Sequence, residues 1–379
     1  DSADPDAVAA VMLCAPAVAL GILYGLLSPA LNAMRAIKAL VGVGIIGGVA
    51  TALLAFPVAR IAASQPQALL VLIGVPILIQ IAAALVALRV LGWWRSLRGA
   101  GDRRPGAGEF GYFAGFFGLS VTLTALNLAT MVALRASIVH DQGLAGAGLF
   151  AAAWGLGGQS LGLVLSSFGI YVLPTLAAAA IHERGKHLQD AATLVIGASL
   201  PLVVGLLAFK PLVVSLLFSA EFLPAIPLLQ ILLIGNYLKA LSWVMAAPML
   251  ATADLRPYFV VEAGWFVIFA AIALIGLERG LGLPIVGVAF VIAYVFHLGA
   301  SAILARRRFN FTLNRRSSLL FLGGALLVAA TAAATWNAQS TDWLVALPAA
   351  AAACVMALFG LTPTQRAKLF ALAPWGRGA

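Results

Sequence analysis

The chain has 379 residues, of which 63% are hydrophobic and only 9% charged, with a formal net charge of +10. A soluble globular domain carries about 25% charged residues, so this composition, with a mean hydropathy of +1.06, excludes a water-soluble globule and makes the bilayer the solvent. In a soluble protein the positive balance would point to nucleic acid; here the cations sit at the edges of apolar runs, which points to membrane lipids instead and to no nucleic-acid partner.

A helix needs about 20 apolar residues to cover ~30 Å of hydrocarbon, and runs of that kind recur from end to end. The first three are Ala7 to Leu27, Ala39 to Phe56 and Ala68 to Leu91, the third carrying Gln80. A loop from Gly92 to Glu109 follows, with Trp93 and Trp94 beside arginines, the composition of an interfacial segment. The fourth run, Phe110 to Leu134, places Ser120, Thr124, Asn127 and the adjacent Arg135 on one helical face. The fifth, Gly146 to Leu176, holds Gln159 and Ser166. After the sixth, Ala191 to Phe209, the stretch Lys210 to Leu223 reads as a short amphipathic helix on the outer surface.

The seventh run, Pro224 to Leu250, contains Lys239 near its middle, with Asn236 and Trp243 at i−3 and i+4 and Gly235 and Ser242 beside them, a polar stripe on one side of a helix. The eighth, Tyr258 to Leu277, carries Glu262 little more than a turn from its start. The ninth, Pro284 to Ile303, carries Tyr294 and His297. Ser317 to Ala334 and Trp343 to Leu361 complete about eleven spans, which predicts an all-α polytopic membrane protein. Cys14 and Cys354 both fall inside apolar runs and read as small hydrophobes.

The cations sort onto alternate loops. One side holds Arg35, Lys38, the run from Arg89 to Arg104, Arg184, Lys186, Arg256, the runs Arg306 to Arg308 and Arg315 to Arg316, Arg366, Lys368 and Arg377. The other holds Arg60, Arg135, Lys210 and Arg279, and Lys239 belongs to neither. The rich side is expected to be cytoplasmic, putting the C-terminus inside at a bacterial inner membrane. Spans one to three resemble spans seven to nine: Pro29 matches Pro248, Arg35 matches Arg256, and Gly74-Val75 matches Gly287-Val288, so a six-helix unit is expected to repeat in parallel. That divides the chain into residues 1–92, the second half of an N-terminal lobe; 93–109, an interlobe loop; 110–305, a six-helix lobe; and 306–379, two added helices with a tail. It also leads to the expectation that three further spans precede Asp1.

Signatures of nucleotide binding, zinc hydrolysis, cofactor attachment or a serine nucleophile are missing, and no cofactor or metal is expected. Asp4-Pro5-Asp6 has the letters of a sugar-nucleotide metal motif, but no domain surrounds it. What remains are polar groups at membrane depth, costly unless they pair or line a cavity. Lys239 is the foremost, with Asn236, Ser242, Asn127, Gln159 and Arg135 as further candidate cavity residues. Two readings of Arg135 stand, a cavity cation or a snorkelling anchor. Glu262 lies close enough in depth to pair with Lys239 or reads as an interfacial carboxylate, His297 reads as a hydrogen-bonded interior histidine or a proton relay, and these two are the groups that could couple transport to an ion gradient.

Four stretches carry a family resemblance: AGLFAAAWGLGGQSLGLVLSSFGIYVLPTLA from Ala147, LLFSAEFLPAIPLLQILLIGNYLKALSW from Leu216, YFVVEAGWF from Tyr258 and GVAFVIAYVFHLGASAILARRRFNF from Gly287. In composition, order and spacing they resemble the Wzx-type O-antigen flippases of the multidrug/oligosaccharidyl-lipid/polysaccharide transporter superfamily. The resemblance implies two six-helix lobes around a hydrophilic cavity, here with an incomplete N-terminal lobe. It also implies outward movement of a polyprenyl-pyrophosphate-linked oligosaccharide by alternating access, alongside a polysaccharide polymerase and chain-length proteins. Two other readings remain open: a cation-coupled multidrug exporter of the same superfamily, whose cavity should be dominated by acids, and a membrane polymerase or ligase, which needs a sizeable polar outer loop.

Overall fold

The computed structural model describes residues 5–34, 36–62, 64–65, 68–93, 107–336, 338, 340–362 and 365–366. Asp4, Arg35, Trp94, the arginines from Arg95 to Arg104, Lys368 and Arg377 lie outside the described residues, as do the side chains of Cys14 and Gln159. Among the described residues there is no strand, and eight helical segments are long and apolar enough to cross a membrane. The protein therefore has the all-α architecture of a multi-pass membrane protein, in which helices satisfy their own backbone hydrogen bonds. It divides into two compact units, Asp1–Gly108 and Glu109–Ala379.

In the first unit, α1 (Pro5–Ala33) and α2 (Ile37–Ala62) touch each other little, and α3 (Leu69–Val90) packs along both. Leu27, Leu31, Val43, Ile81, Ala84 and Leu88 form its small core. Gln80 of α3 lies across α2 at Gly47, where a Cβ would collide with it.

The second unit is entered through α4 (Ala107–Ala178), 72 residues of helix interrupted once, at Gly143, whose φ of 68° and ψ of −170° are non-helical. A straight helix of that length would run ~108 Å. The break divides it into two helices, 107–142 and 144–178. The backbone angles are the reason for glycine here, since space around it is open and this φ/ψ region, essentially restricted to glycine, costs an L-side chain about 1–3 kcal/mol. The first of these helices continues past Leu134, through Arg135, to Gln142.

Beyond it come α5 (Ile181–Ala208), the short α6 (Lys210–Leu217), a 3₁₀ turn (Ala220–Ala225), α7 (Ile226–Ala251), α8 (Leu255–Glu278), α9 (Pro284–Phe309), α10 (Arg315–Ala334) and α11 (Trp343–Gly360). α9 packs along both α7 and α8, and α5 packs on α7, α10 and α11. Small residues permit the closest of these approaches: a Cβ on Gly287 of α9 would strike Ile231 of α7, and one on Gly235 of α7 would strike Phe290 of α9.

Polar contacts tie the helix ends together and separate the two ends of the unit. At one end Arg308 bonds Asp254, Gln189 donates to Ser317 and accepts from the Asn314 amide, Arg316 donates to the Phe359 and Leu361 carbonyls, and Gln365 donates to the Asp190 carbonyl. Arg184, Lys186, Arg256, Arg306 and Arg315 belong to the same helix ends by chain connectivity. Lys210 and Arg279 mark the opposite end. The cation sorting read from the loops is therefore a spatial property of this unit.

α6 is amphipathic, with Lys210, Pro211 and Val214 buried and Leu212, Leu216 and Leu217 exposed. Lys210, however, is no surface cation. Its Nζ donates to the carbonyl and the hydroxyl of Thr335, each at 2.6 Å, and Thr335 Oγ1 donates onward to the Thr331 carbonyl at 2.7 Å. Lys210 thus caps the C-terminal end of α10, where unpaired carbonyls attract a cation.

Burial pushes the Lys210 ammonium down from 10.5 to about 8. Below pH 8 it is protonated in the folded and unfolded states alike. As pH rises from about 8 to 10.5, the unfolded chain keeps a proton that the folded chain has released, so folding stability rises through that window. Thermal unfolding in detergent should therefore show an increment between pH 8 and 10 that is missing in Lys210→Met, a variant that also loses the cap and unfolds at lower temperature. In a separate measurement, Gly143→Ala should lower stability by about 1–3 kcal/mol without changing helix content.

Candidate functional site

The polar groups at depth in the second unit gather where α7, α8 and α9 meet. Lys239 stands mid-way along α7, thirteen residues from Ile226 and twelve from Ala251, or ~18 Å from either end at 1.5 Å per residue. Its ammonium lies 5.4 Å from the Trp243 ring centroid and 5.9 Å from that of Tyr294 on α9. Both are within the ~6 Å reach of a cation–π contact, worth from ~0.5 to 2 kcal/mol as water is removed. Tyr294 is buried, whereas Trp243 is 40% exposed, so the lysine sits between the packed interior and an open edge.

Beside it, His297 Nε2 and Glu262 Oε1 are 3.2 Å apart. The histidine is 1% exposed and the carboxylate 19%, so the pair reaches the open edge through Glu262. Ser301, one turn along α9, places its hydroxyl 3.5 Å from His297 Nδ1. Tyr258, one turn before Glu262 on α8, and Lys239 across on α7 both lie in the electrostatic field of the carboxylate. The expected Lys239–Glu262 contact is thus a through-space attraction, and the direct partners of Glu262 are His297 and Tyr258. An aromatic wall of Trp154, Trp265, Phe269 and Phe290 backs the cluster, and Trp265 packs on Tyr294 at 5.2 Å.

Asn236 and Ser242, one turn either way along α7, have other duties. Asn236 is 1% exposed, and its Nδ2 donates to the Gly157 carbonyl of the 144–178 helix at 2.7 Å, while its Oδ1 has no partner. Ser242 is fully buried and donates back to the Lys239 carbonyl at 2.9 Å. Of the stripe on α7, then, Lys239 and Trp243 face the open edge, and Asn236 and Ser242 serve helix packing.

Asn127 and Arg135 are both exposed, on the 107–142 half of α4. Arg135 lines an open hollow of about 640 Å³ with Val132, Val139 and His140. Neither hydrogen-bonds a residue of the Lys239 cluster. The backbone of Gln159 is helical; its side chain lies outside the described residues. Ser301 and Tyr258 escaped sequence reasoning, although their i+4 and i−4 spacing from His297 and Glu262 is the signal that finds them. No group of three His, Cys, Asp or Glu side chains that could hold a metal ion occurs among the described residues.

The arrangement offers a cation and an acid–base pair at mid-depth, backed by aromatic rings. It can attract an anionic group through the Lys239 ammonium. Comparison with protein-family models, curated proteins and solved structures finds no match to this chain.

Replacing Asn236 with Ala removes the α7–α4 hydrogen bond. The expected cost is about 0.6–1.7 kcal/mol, the range for interhelical bonds in membrane proteins, read as earlier unfolding in detergent. A variant that unfolds with the parent would assign that contact no stabilising role.

Proposed function

We propose that the protein moves a polyprenyl-pyrophosphate-linked oligosaccharide, a repeat unit of O-antigen or related polysaccharide, from the cytoplasmic to the outer leaflet of a bacterial inner membrane by alternating access. The observation that carries this reading is the Lys239 ammonium, held mid-helix against Trp243 and Tyr294 beside an open edge. A sugar head group cannot cross hydrocarbon unaided, because each unsatisfied polar group costs several kcal/mol. A polar, aromatic-lined path removes that cost. The pyrophosphate, at roughly two negative charges, needs a cation at depth, and its outward movement against an inside-negative potential of ~100 mV is favoured by ~4–5 kcal/mol. The family resemblance of the stretches from Ala147, Leu216, Tyr258 and Gly287 supports the same reading.

In this proposal about eleven spans make two lobes related by a parallel repeat. Helix packing supports it: α3 lies along α1 and α2 while those two barely touch, and α9 lies along α7 and α8 in the same way. Pro29 of α1 and Pro248 of α7 also fall at matching places, within four residues of each helix end. The C-terminus would be cytoplasmic, and the partners would be the lipid-linked substrate and the polymerase and chain-length proteins that take it onward.

The His297–Glu262 pair favours a second reading, an exporter of cationic drugs exchanged for protons. The nearby lysine opposes it, since a cationic cargo would be repelled at ε ≈ 20 by a few kcal/mol at contact distance.

In a polysaccharide-producing host, Lys239→Ala should abolish surface polysaccharide while membrane expression persists, and Lys239→Arg should retain part of it. Normal polymer from Lys239→Ala would overturn the assignment of the lysine. Binding of a polyprenyl pyrophosphate by the purified protein, compared with a cationic dye, separates the two cargo classes.

A further inference from the structure

Between α7, α9 and α10 a groove of about 510 Å³ opens at the basic end of the second unit. Leu241 and Met245 of α7 form its floor, at 3% and 4% exposure. Ile303 of α9 and Leu322 of α10 form its rim and are exposed, so it faces outward, where a membrane protein meets lipid. Along α9 it runs from Leu298 to Arg306, ~12 Å of helix, against the ~15 Å half-thickness of a hydrocarbon core. The groove is one leaflet deep.

Its polar groups gather at one end only. They are the Arg306 guanidinium and the hydroxyls of Thr312 and Ser318, and no acidic residue lines it. None of the three side chains hydrogen-bonds another described residue. Their neighbours differ: Arg308 is committed to Asp254 and Arg316 to the carbonyls closing α11. Three unspent donors beside a basic cluster match a phosphate, which arginine holds through two parallel hydrogen bonds.

We propose that this groove holds one acyl chain of an anionic glycerophospholipid from the surrounding leaflet, with the phosphodiester on Arg306, Thr312 and Ser318. Apolar walls suit a chain and exclude a sugar, while a cation with hydroxyls at membrane-surface depth suits an anionic head group. The wall is also preformed. Phe321 stacks on Tyr237 at 5.2 Å and 7°, the Tyr237 hydroxyl donates to the Phe321 carbonyl at 3.3 Å, and Tyr237 reaches that position only because Gly324 lacks a Cβ that would strike it. A fixed groove fits a resident lipid better than a cargo tail that must leave at each turnover. The inference stands independently of the transport reading.

Native mass spectrometry of the detergent-extracted protein, with dioleoyl-phosphatidylglycerol or dioleoyl-phosphatidylcholine added, tests it. The parent should retain phosphatidylglycerol in preference to phosphatidylcholine. Arg306→Gln should lower phosphatidylglycerol retention roughly tenfold, the effect of losing a charged hydrogen-bond partner, and narrow its preference over phosphatidylcholine. Arg307→Gln, outside the groove, should behave as the parent, and Ala302→Trp, which fills the groove, should retain neither lipid there. Equal retention of both lipids by the parent, or no change in Arg306→Gln, overturns the proposal. So does displacement of phosphatidylglycerol by an equal concentration of a polyprenyl phosphate, which would assign the groove to an isoprenoid tail. Circular dichroism checks that each variant is folded, and if Ala302→Trp is not, Arg306→Gln decides.

Discussion

Inside hydrocarbon, a polar group that the chain leaves unsatisfied is costly, and that cost organises most polar contacts of the second unit. Hydroxyls within the helices turn back on their own backbone: Thr193 to the Gln189 carbonyl, Ser199 to Val195, Thr331 to Leu327 and Thr252 to Pro248. Such bonds let serine and threonine sit at small-residue contacts with no exposed donor. Longer polar side chains have no such recourse. Lys210, Gln189, Arg316 and Asn236 each reach a carbonyl or hydroxyl on another helix, and each thereby fixes how two helices meet.

These long-range bonds concentrate at the helix ends, where carbonyls and amides are unpaired. Lys210 closes the C-terminal end of α10, Arg316 and Arg366 close that of α11, and Gln189 joins α5 to the start of α10. α5, α10 and α11 are thus clamped at both ends, with an apolar core that includes Leu200, Val328 and Ala353 between. The α7–α8–α9 group differs. It is clamped by Arg308 and Asp254 at one end, while its middle carries the Lys239, Glu262 and His297 cluster. Polar groups at mid-depth cost stability wherever they lack full satisfaction, so this group is held together less by polar bonds than α5, α10 and α11 are.

Much of this was legible in residue order. Span length, the sorting of cations onto alternate loops, and the isolation of Lys239 from both loop sets follow from the local rules of hydropathy and charge. The pairing of Glu262 with His297 instead of Lys239 was not legible. Depth along a helix can be counted, but the rotation of α8 against α9 is set by which small residues let them approach, Gly264 against Phe296 among them. Lys210 shows the same limit: its position in a connection suggested a surface anchor, and only the arrival of α10, 125 residues later in the chain, gives its ammonium acceptors in a buried place.

The amino-acid order alone determined the solvent, the helical class and the depth of each polar group, because all three depend on transfer free energies summed over consecutive residues. Tertiary structure decided which of those groups meet. Asn236 and Lys239 are three residues apart on one helix, yet one is spent on a neighbouring backbone and the other faces an open edge. Their difference comes from what packs around α7, and that is settled by side chains far away in the chain.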